Sequence, residues 1–128
     1  GFYTYDDRPD PAAGVLAGFQ RETKIIGAAF SMERLMYAMV NEAAFALEEN
    51  VASPSDIDLA MVAGTGFPMA KEGLLRWADS VGLDRILGSL DVWKRTAGER
   101  FWPAALLRRM VGSGMTGKSA RKGFFEYA

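Results

Sequence analysis

The sequence predicts an all-α domain, a compact bundle of about five helices. Three observations carry that expectation. Apolar residues recur at the helical spacing i, i+3, i+4, i+7 in successive stretches. Those stretches are punctuated by glycine, proline and capping serine, and few convincing period-2 stretches appear between them. The 128 residues are 49% hydrophobic and 24% charged, which suits one globular domain burying about two thirds of its unfolded surface.

The strongest helix is expected from about Ala28 to Asn50. Met32, Leu35, Met36, Met39, Val40, Ala43 and Leu47 form its apolar stripe. Ser31 suits its N-cap. Glu33, Arg34, Asn41, Glu42, Glu48 and Glu49 form its polar face. A second helix starts at Ser53-Pro54-Ser55-Asp56, with serine at the N-cap, proline in the first turn and an acid to complement cap and dipole. It carries Ile57, Leu59, Ala60, Met61 and Val62 and stops at Gly64-Thr65-Gly66-Phe67-Pro68. A third runs from about Lys71 to Ser80 with Leu74, Leu75, Trp77 and Ala78, ended by Gly82. A fourth covers about Leu83 to Ala97, with Ile86, Leu87, Leu90 and Trp93 on one face and Gly98 as its stop. A fifth starts at Pro103 and carries Ala104, Leu106, Leu107, Met110 and Val111 to Gly112. Residues 113–122, rich in Gly, Ser and Lys, read as a mobile loop.

Composition excludes several chemistries for this chain. It has no Cys and no His. Disulfides, thiolate ligands, a Cys nucleophile, His-ligated zinc and the Ser-His-Asp arrangement are therefore excluded. Lys+Arg 15 against Asp+Glu 16 gives a net charge of -1, which argues against a nucleic-acid partner. No apolar run has the length of a membrane span. No secretory signal is visible, and a cytoplasmic location is expected.

Two glycine-rich runs invite a nucleotide reading. Gly64-Thr65-Gly66 lacks the third glycine, since Met69 stands there, and a helix rather than a strand leads into it. Gly112 to Ser119 satisfies the phosphate-loop pattern in full, ending in Gly117-Lys118-Ser119, but no buried strand leads in and no good helix follows. Asp56, Asp58, Asp79, Asp84 and Asp91 are candidates for acid–base or metal chemistry, with capping and surface roles the plainer reading. Arg108, Arg109, Lys118, Arg121 and Lys122 form a basic group that could meet phosphates, coenzyme A included, or be a solvated face.

A repeat frames the chain. Gly1-Phe2-Tyr3-Thr4-Tyr5 and Gly123-Phe124-Phe125-Glu126-Tyr127 share the pattern Gly-aromatic-aromatic-x-Tyr. A tandem duplication explains it: residues 1–11, including Asp6-Asp7-Arg8-Pro9-Asp10-Pro11, would be the tail of a preceding domain and a linker, and residues 12–128 one helical domain. The chain is then expected to be a piece of a longer polypeptide.

Glu33-Arg34-Leu35-Met36-Tyr37-Ala38-Met39-Val40-Asn41-Glu42-Ala43, the Ala52–Met61 run, Gly64-Thr65-Gly66-Phe67-Pro68, Ala78-Asp79, Gly82-Leu83-Asp84 and the closing Gly-Phe-Phe-x-Tyr together resemble the C-terminal domain of 3-hydroxyacyl-CoA dehydrogenases. The resemblance covers about Phe30 to Tyr127. The tandem arrangement is similar to that of the α-subunit of the bacterial fatty-acid oxidation complex. There a hydratase/isomerase portion and an NAD-binding Rossmann domain precede two such domains. The resemblance implies a parent that oxidises L-3-hydroxyacyl-CoA with NAD in β-oxidation. Its implied partners are the preceding domains of the same polypeptide, acyl-CoA and a thiolase subunit.

The family's His–Glu pair and dinucleotide loop lie in the Rossmann domain, so no catalytic, cofactor-binding or metal-ligating residue is assigned to this chain. The family's catalytic Asn precedes the Arg of the first helix. Here Glu33 precedes Arg34, and a carboxylate lacks the amide's donor. The chain is therefore expected to be the second, non-catalytic copy, inactive alone, with Met32, Met36 and Met39 as packing residues and Phe2, Tyr3 and Tyr5 as remnants of its neighbour. The Ala70-Lys71-Glu72-Gly73-Leu74 run departs from the Gly-Pro that often follows the turn in the family. Two other readings stand beside this one: an autonomous helical module binding a protein or acyl-CoA, and a nucleotide binder using Gly112 to Ser119.

Overall fold

The computed structural model describes residues 31–128. The chain divides into two units, Gly1–Phe30 and Ser31–Ala128, and the second is the one described. The expected linker, the aromatic residues Phe2, Tyr3 and Tyr5, and positions 28–30 of the first helix lie outside the described residues.

Five α-helices follow in order: α1 (Met32–Glu48), α2 (Pro54–Thr65), α3 (Leu74–Val81), α4 (Leu83–Ala97) and α5 (Ala105–Gly112). Short 3-10 turns lie at Met69–Lys71, Glu99–Phe101 and Lys118–Ala120. Among the described residues there is no strand, only two isolated antiparallel bridges, Gly117 with Lys122 and Lys122 with Glu126. The all-α expectation holds.

The helix starts form for the local reasons the sequence suggested. Ser31 is extended and its hydroxyl accepts the Arg34 N–H at 3.1 Å, so α1 begins at Met32. At α2 the capping box is complete: Ser53 Oγ accepts from Asp56 N at 3.2 Å and Asp56 Oδ2 accepts from Ser53 N at 3.2 Å. The α2 helix ends at Gly66, whose φ of 71° closes the last turn. The third helix starts later than expected, at Leu74, because the backbone at Glu72 (φ 61°) and Gly73 (φ 130°) breaks it from the preceding 3-10 turn. The fifth starts at Ala105, past the extended Ala104.

Every other helix packs on α1 or α3: α1 meets α3, α4 and α5, and α3 meets α2 and α4. Tyr37, Val40, Leu74, Leu75, Leu83, Ile86, Leu90 and Leu107 are wholly buried where these helices meet. An aromatic chain crosses the core, with Tyr37 6.0 Å from Trp77 and 5.6 Å from Trp93 between ring centroids, and Trp93 5.7 Å from Phe101. Such pairs add about 0.5–1.5 kcal/mol each beyond burial.

Helix α1 corrects the predicted stripe. Its buried face is Tyr37, Val40, Asn41, Ala43 and Ala44, whereas Met32 is 64% and Leu35 46% exposed. Asn41, expected on the polar face, has no exposed surface. Its amide donates to the Trp102 carbonyl at 2.8 Å and accepts from Ala104 N at 2.8 Å. The amide satisfies both backbone groups of the bend leading into α5, which offsets its burial. Of the expected stripe, Val40 and Ala43 are buried and Met36, Met39 and Leu47 pack against the core, so the departure is confined to Met32 and Leu35.

The segment 113–122 is also corrected. It is a hydrogen-bonded turn, with Gly117 N donating to Lys122 O at 2.9 Å and Lys122 N to Gly117 O at 3.1 Å. Thr116 O accepts from Leu83 N at 2.8 Å, tying the turn to the start of α4.

Candidate functional site

An apolar groove lies between α1 and α2. Leu35, Ala38, Met39, Glu42, Ala43 and Ala46 of α1 face Ile57 and Met61 of α2 across Leu74, around a volume of about 430 Å³. On α1 the spacing Leu35, Met39, Glu42, Ala46 is that of one helix face. So α1 is apolar on two sides: one buried in its own domain, one open along the groove, continued toward the N-terminus by exposed Met32. Alanines let another backbone approach closely, and methionine and leucine adapt to what arrives. Met36 and Met39 are half-buried and pack on the core; of the three expected packing residues, Met39 lines the groove and Met32 is exposed.

Glu33 and Arg85 form an ion pair at 3.6 Å with both side chains more than half exposed. The Arg34 guanidinium lies 5.4 Å from the Trp93 ring centroid and 5.8 Å from that of Phe101. Burial raises the Tyr37 phenol above its ordinary value, helped by the charge of Glu33 and opposed by Arg85. This end of α1 thus carries a carboxylate in a surface ion pair, without an amide at position 33.

The acidic candidates separate into distinct structural jobs. Asp56 is the capping acid described above, and its hydrogen bonds from Ser53 lower its pKa. Asp58 is buried and accepts from Arg76 N at 3.1 Å and from Leu75 N at 2.6 Å, capping α3 from another helix. Burial raises its pKa against the pull of those two backbone donors. Asp84 sits in the first turn of α4. Asp91 pairs with Arg108 and, at 3.2 Å, with Lys94. Burial acts to raise its pKa, and those two cations outweigh it, leaving the carboxyl below its usual range. Among the described residues no group of three such side chains is placed to hold a metal ion.

Asp79 is the residue sequence reasoning undervalued. It is 1% exposed. Its Oδ1 accepts from Phe124 N at 2.9 Å, and its Oδ2 accepts from Phe125 N at 3.0 Å and from the Tyr127 hydroxyl at 2.9 Å. A side chain at Gly123 would collide with the Asp79 carboxylate, and one at Gly117 (φ 118°) with its backbone carbonyl. The guanidinium of Arg76 covers the Phe125 ring at 4.1 Å. The pentapeptide that ends the chain is thus a strap, and Asp79 is its socket. The repeat of that pentapeptide was the signal that could have pointed here.

The basic group is dispersed. Arg108 pairs with Asp91, Arg109 with Glu48 at 3.5 Å, and Lys122 with Glu126 at 3.0 Å. Lys118 lies 5.9 Å from the Tyr127 ring centroid. Neither glycine run fits a nucleotide. Gly64 belongs to α2, and Gly66 caps the carbonyl end of that helix, the end that repels phosphate. Gly112 ends α5, and the helix after Gly117 is a single 3-10 turn. Neither run therefore offers a cradle for the phosphates of a dinucleotide such as NAD. Among the described residues no helix is long and apolar enough to cross a membrane.

The described residues define an all-α domain of five helices. Comparison with known proteins gives it a family. Residues 30–127 match the family described as the C-terminal domain of 3-hydroxyacyl-CoA dehydrogenase. This chain belongs to that family. It is 33% identical over 129 residues to a peroxisomal fatty acid beta-oxidation multifunctional protein of Arabidopsis thaliana, covering 90% of this chain and 18% of that protein. It is 37% identical over 99 residues to a probable 3-hydroxybutyryl-CoA dehydrogenase of Bacillus subtilis, covering 77% of this chain and 33% of that protein. The crystal structure of (S)-3-hydroxybutyryl-CoA dehydrogenase from Ralstonia eutropha superposes with a TM-score of 0.72 at 28% identity, covering 95% of this chain and 44% of that one. The chain thus spans between about a fifth and a third of the length of these curated relatives.

Proposed function

We propose that this domain is the non-catalytic packing element of a cytoplasmic, NAD-dependent L-3-hydroxyacyl-CoA dehydrogenase of fatty-acid β-oxidation. The open second face of α1 carries the reading. A surface helix exposes one apolar side only at some cost, and a helix apolar on two sides belongs between two layers. Met32, Leu35, Met39, Ala46 and Ile57 supply that face. Its occupant in this reading is the preceding part of the same polypeptide, whose dehydrogenase site the domain supports. Relatives named as multifunctional β-oxidation proteins and as 3-hydroxybutyryl-CoA dehydrogenases favour it.

Glu33 favours the non-catalytic assignment. The family resemblance puts a catalytic Asn there; a carboxylate accepts hydrogen bonds but, ionised, donates none, and its partner here is Arg85. NAD, acyl-CoA and a thiolase subunit would be met by the parent and not by this domain. The test is NADH oxidation with acetoacetyl-CoA by the chain alone. No turnover above the uncatalysed rate is expected, and enzymatic turnover that is lost in Glu33→Gln would overturn the assignment.

A further inference from the structure

A second pocket lies on the other side of α2. Ser55, Leu59 and Val62 share one face of that helix at the spacing i, i+4, i+7. Residues two apart on a helix point in nearly opposite directions, so Leu59 turns away from the groove that Ile57 and Met61 line. The pocket has a volume of about 330 Å³, and Met69, Glu72, Arg76 of α3 and the Phe125 side chain of the strap complete its lining. Its size, with apolar walls and a few polar groups, is that of a small-molecule site.

The walls are held in place. Asp58, at 5% exposure, also lines the pocket, and the Leu75 and Arg76 N–H groups pin both of its oxygens. Phe125 is anchored through its N–H on Asp79 at 3.0 Å, and its ring centroid lies 4.1 Å from the Arg76 guanidinium. Leu59 is 68% and Met69 80% exposed, which leaves apolar area at the rim for a ligand to cover. Arg76 and Glu72 bring opposite charges to the lining. Among the described residues neither makes an ion pair, with the other or with any third side chain. A pocket that keeps a cation and an anion apart fits a ligand that carries both. The Asp58 carboxylate adds to the pull on the ligand's cationic group.

We propose that this pocket binds a small zwitterion with an aliphatic side chain, of the α-amino acid class. Its carboxylate meets the Arg76 guanidinium, whose planar donors match it. Its ammonium meets Glu72 and the Ser55 hydroxyl. Its side chain lies among Leu59, Val62, Met69 and the Phe125 ring. This goes beyond the packing role, which concerns the groove on the other side of α2.

The test titrates the full chain with L-leucine and follows the backbone amide resonances of Ser55, Leu59, Val62 and Phe125. The shifts should saturate with a Kd on the order of 1 mM, as suits a ligand of this size. Isocaproate, which lacks the ammonium, and isopentylamine, which lacks the carboxylate, should each bind at least about tenfold more weakly. Glu72→Gln, made on an exposed side chain, should weaken leucine by a similar factor and leave the melting temperature unchanged. Arg76→Gln should weaken it as much. No saturable shift by about 20 mM leucine, equal binding of either singly charged analogue, or undiminished binding in Glu72→Gln would overturn the proposal.

Discussion

Replacing Asp79 with alanine should be the most damaging single polar substitution in the domain. Three donors converge on this one carboxylate at 2.9, 3.0 and 2.9 Å, and the side chain is 1% exposed. Hydrogen bonds to a charged group are worth about 1.5–3 kcal/mol each. They share one acceptor and one strap, so their losses do not add in full, and the freed strap regains some water. A net loss of about 3–5 kcal/mol results. Unfolding entropy near 2 cal/mol/K per residue, over about 100 residues, converts this to a Tm decrease of roughly 15–25 °C. Asp79→Asn keeps the volume and one acceptor oxygen but turns an NH2 toward a donor, and should lose about 2–3 kcal/mol. Circular dichroism melts with urea titrations measure both. Asp91→Ala is the control, a part-exposed pair expected to cost under about 1 kcal/mol. If Asp79→Ala melted within about 5 °C of wild type, the socket would not be holding the strap.

Asn41→Leu should cost about 2–4 kcal/mol by urea denaturation despite its gain in hydrophobicity, because it orphans the Trp102 carbonyl and the Ala104 N–H. Asp58→Ala should lose about 1–2 kcal/mol in the same assay, by stripping the cap from α3. Alkaline stability should depend on Tyr127, whose pKa is raised by burial first and then by its hydrogen bond to Asp79 and that residue's charge. The folded state holds this proton more tightly than the unfolded chain does. The stability it gives is therefore complete below the ordinary tyrosine value of 10.0 and is lost as pH rises from there toward the raised folded value. The loss should approach about 1.4 kcal/mol per pH unit, and Tyr127→Phe should remove it from Tm measured between pH 9 and 11. Asp91 works in the opposite direction, and its contribution should fade as pH drops below 3.8 and be absent in Asp91→Asn.

Local chemistry was legible in the sequence and long-range pairing was not. Ser31, Ser53, Pro54 and Asp56 announce helix starts because a cap is settled within four residues. The fourth helix matched its expected limits, Leu83 to Ala97, because glycines bound it on both sides. Asn41 and Asp79 escaped because their partners lie 61 and 45 residues onward. No spacing rule reveals that a polar residue on a helix will meet a bend or a strap folded from elsewhere. The same blindness made residues 113–122 read as mobile, since their glycines and serines look like loop until an acceptor is supplied. The apolar stripe marked the packed side of α1 except at its start, where Met32 and Leu35 are exposed. The family resemblance was readable from motif order alone, and the match over residues 30–127 bears it out.

The most direct test of the packing role is the rate of NADH oxidation with acetoacetyl-CoA by the separately expressed upstream portion, with and without this chain. The account predicts that adding the chain raises the rate, and that Met32→Asp with Leu35→Asp, both on exposed residues, abolishes the increase while leaving the melting temperature of the added chain within about 5 °C of wild type. A rate unchanged by the chain at saturating concentration, or raised equally by that variant, would contradict the claim that the open face of α1 supports the dehydrogenase site.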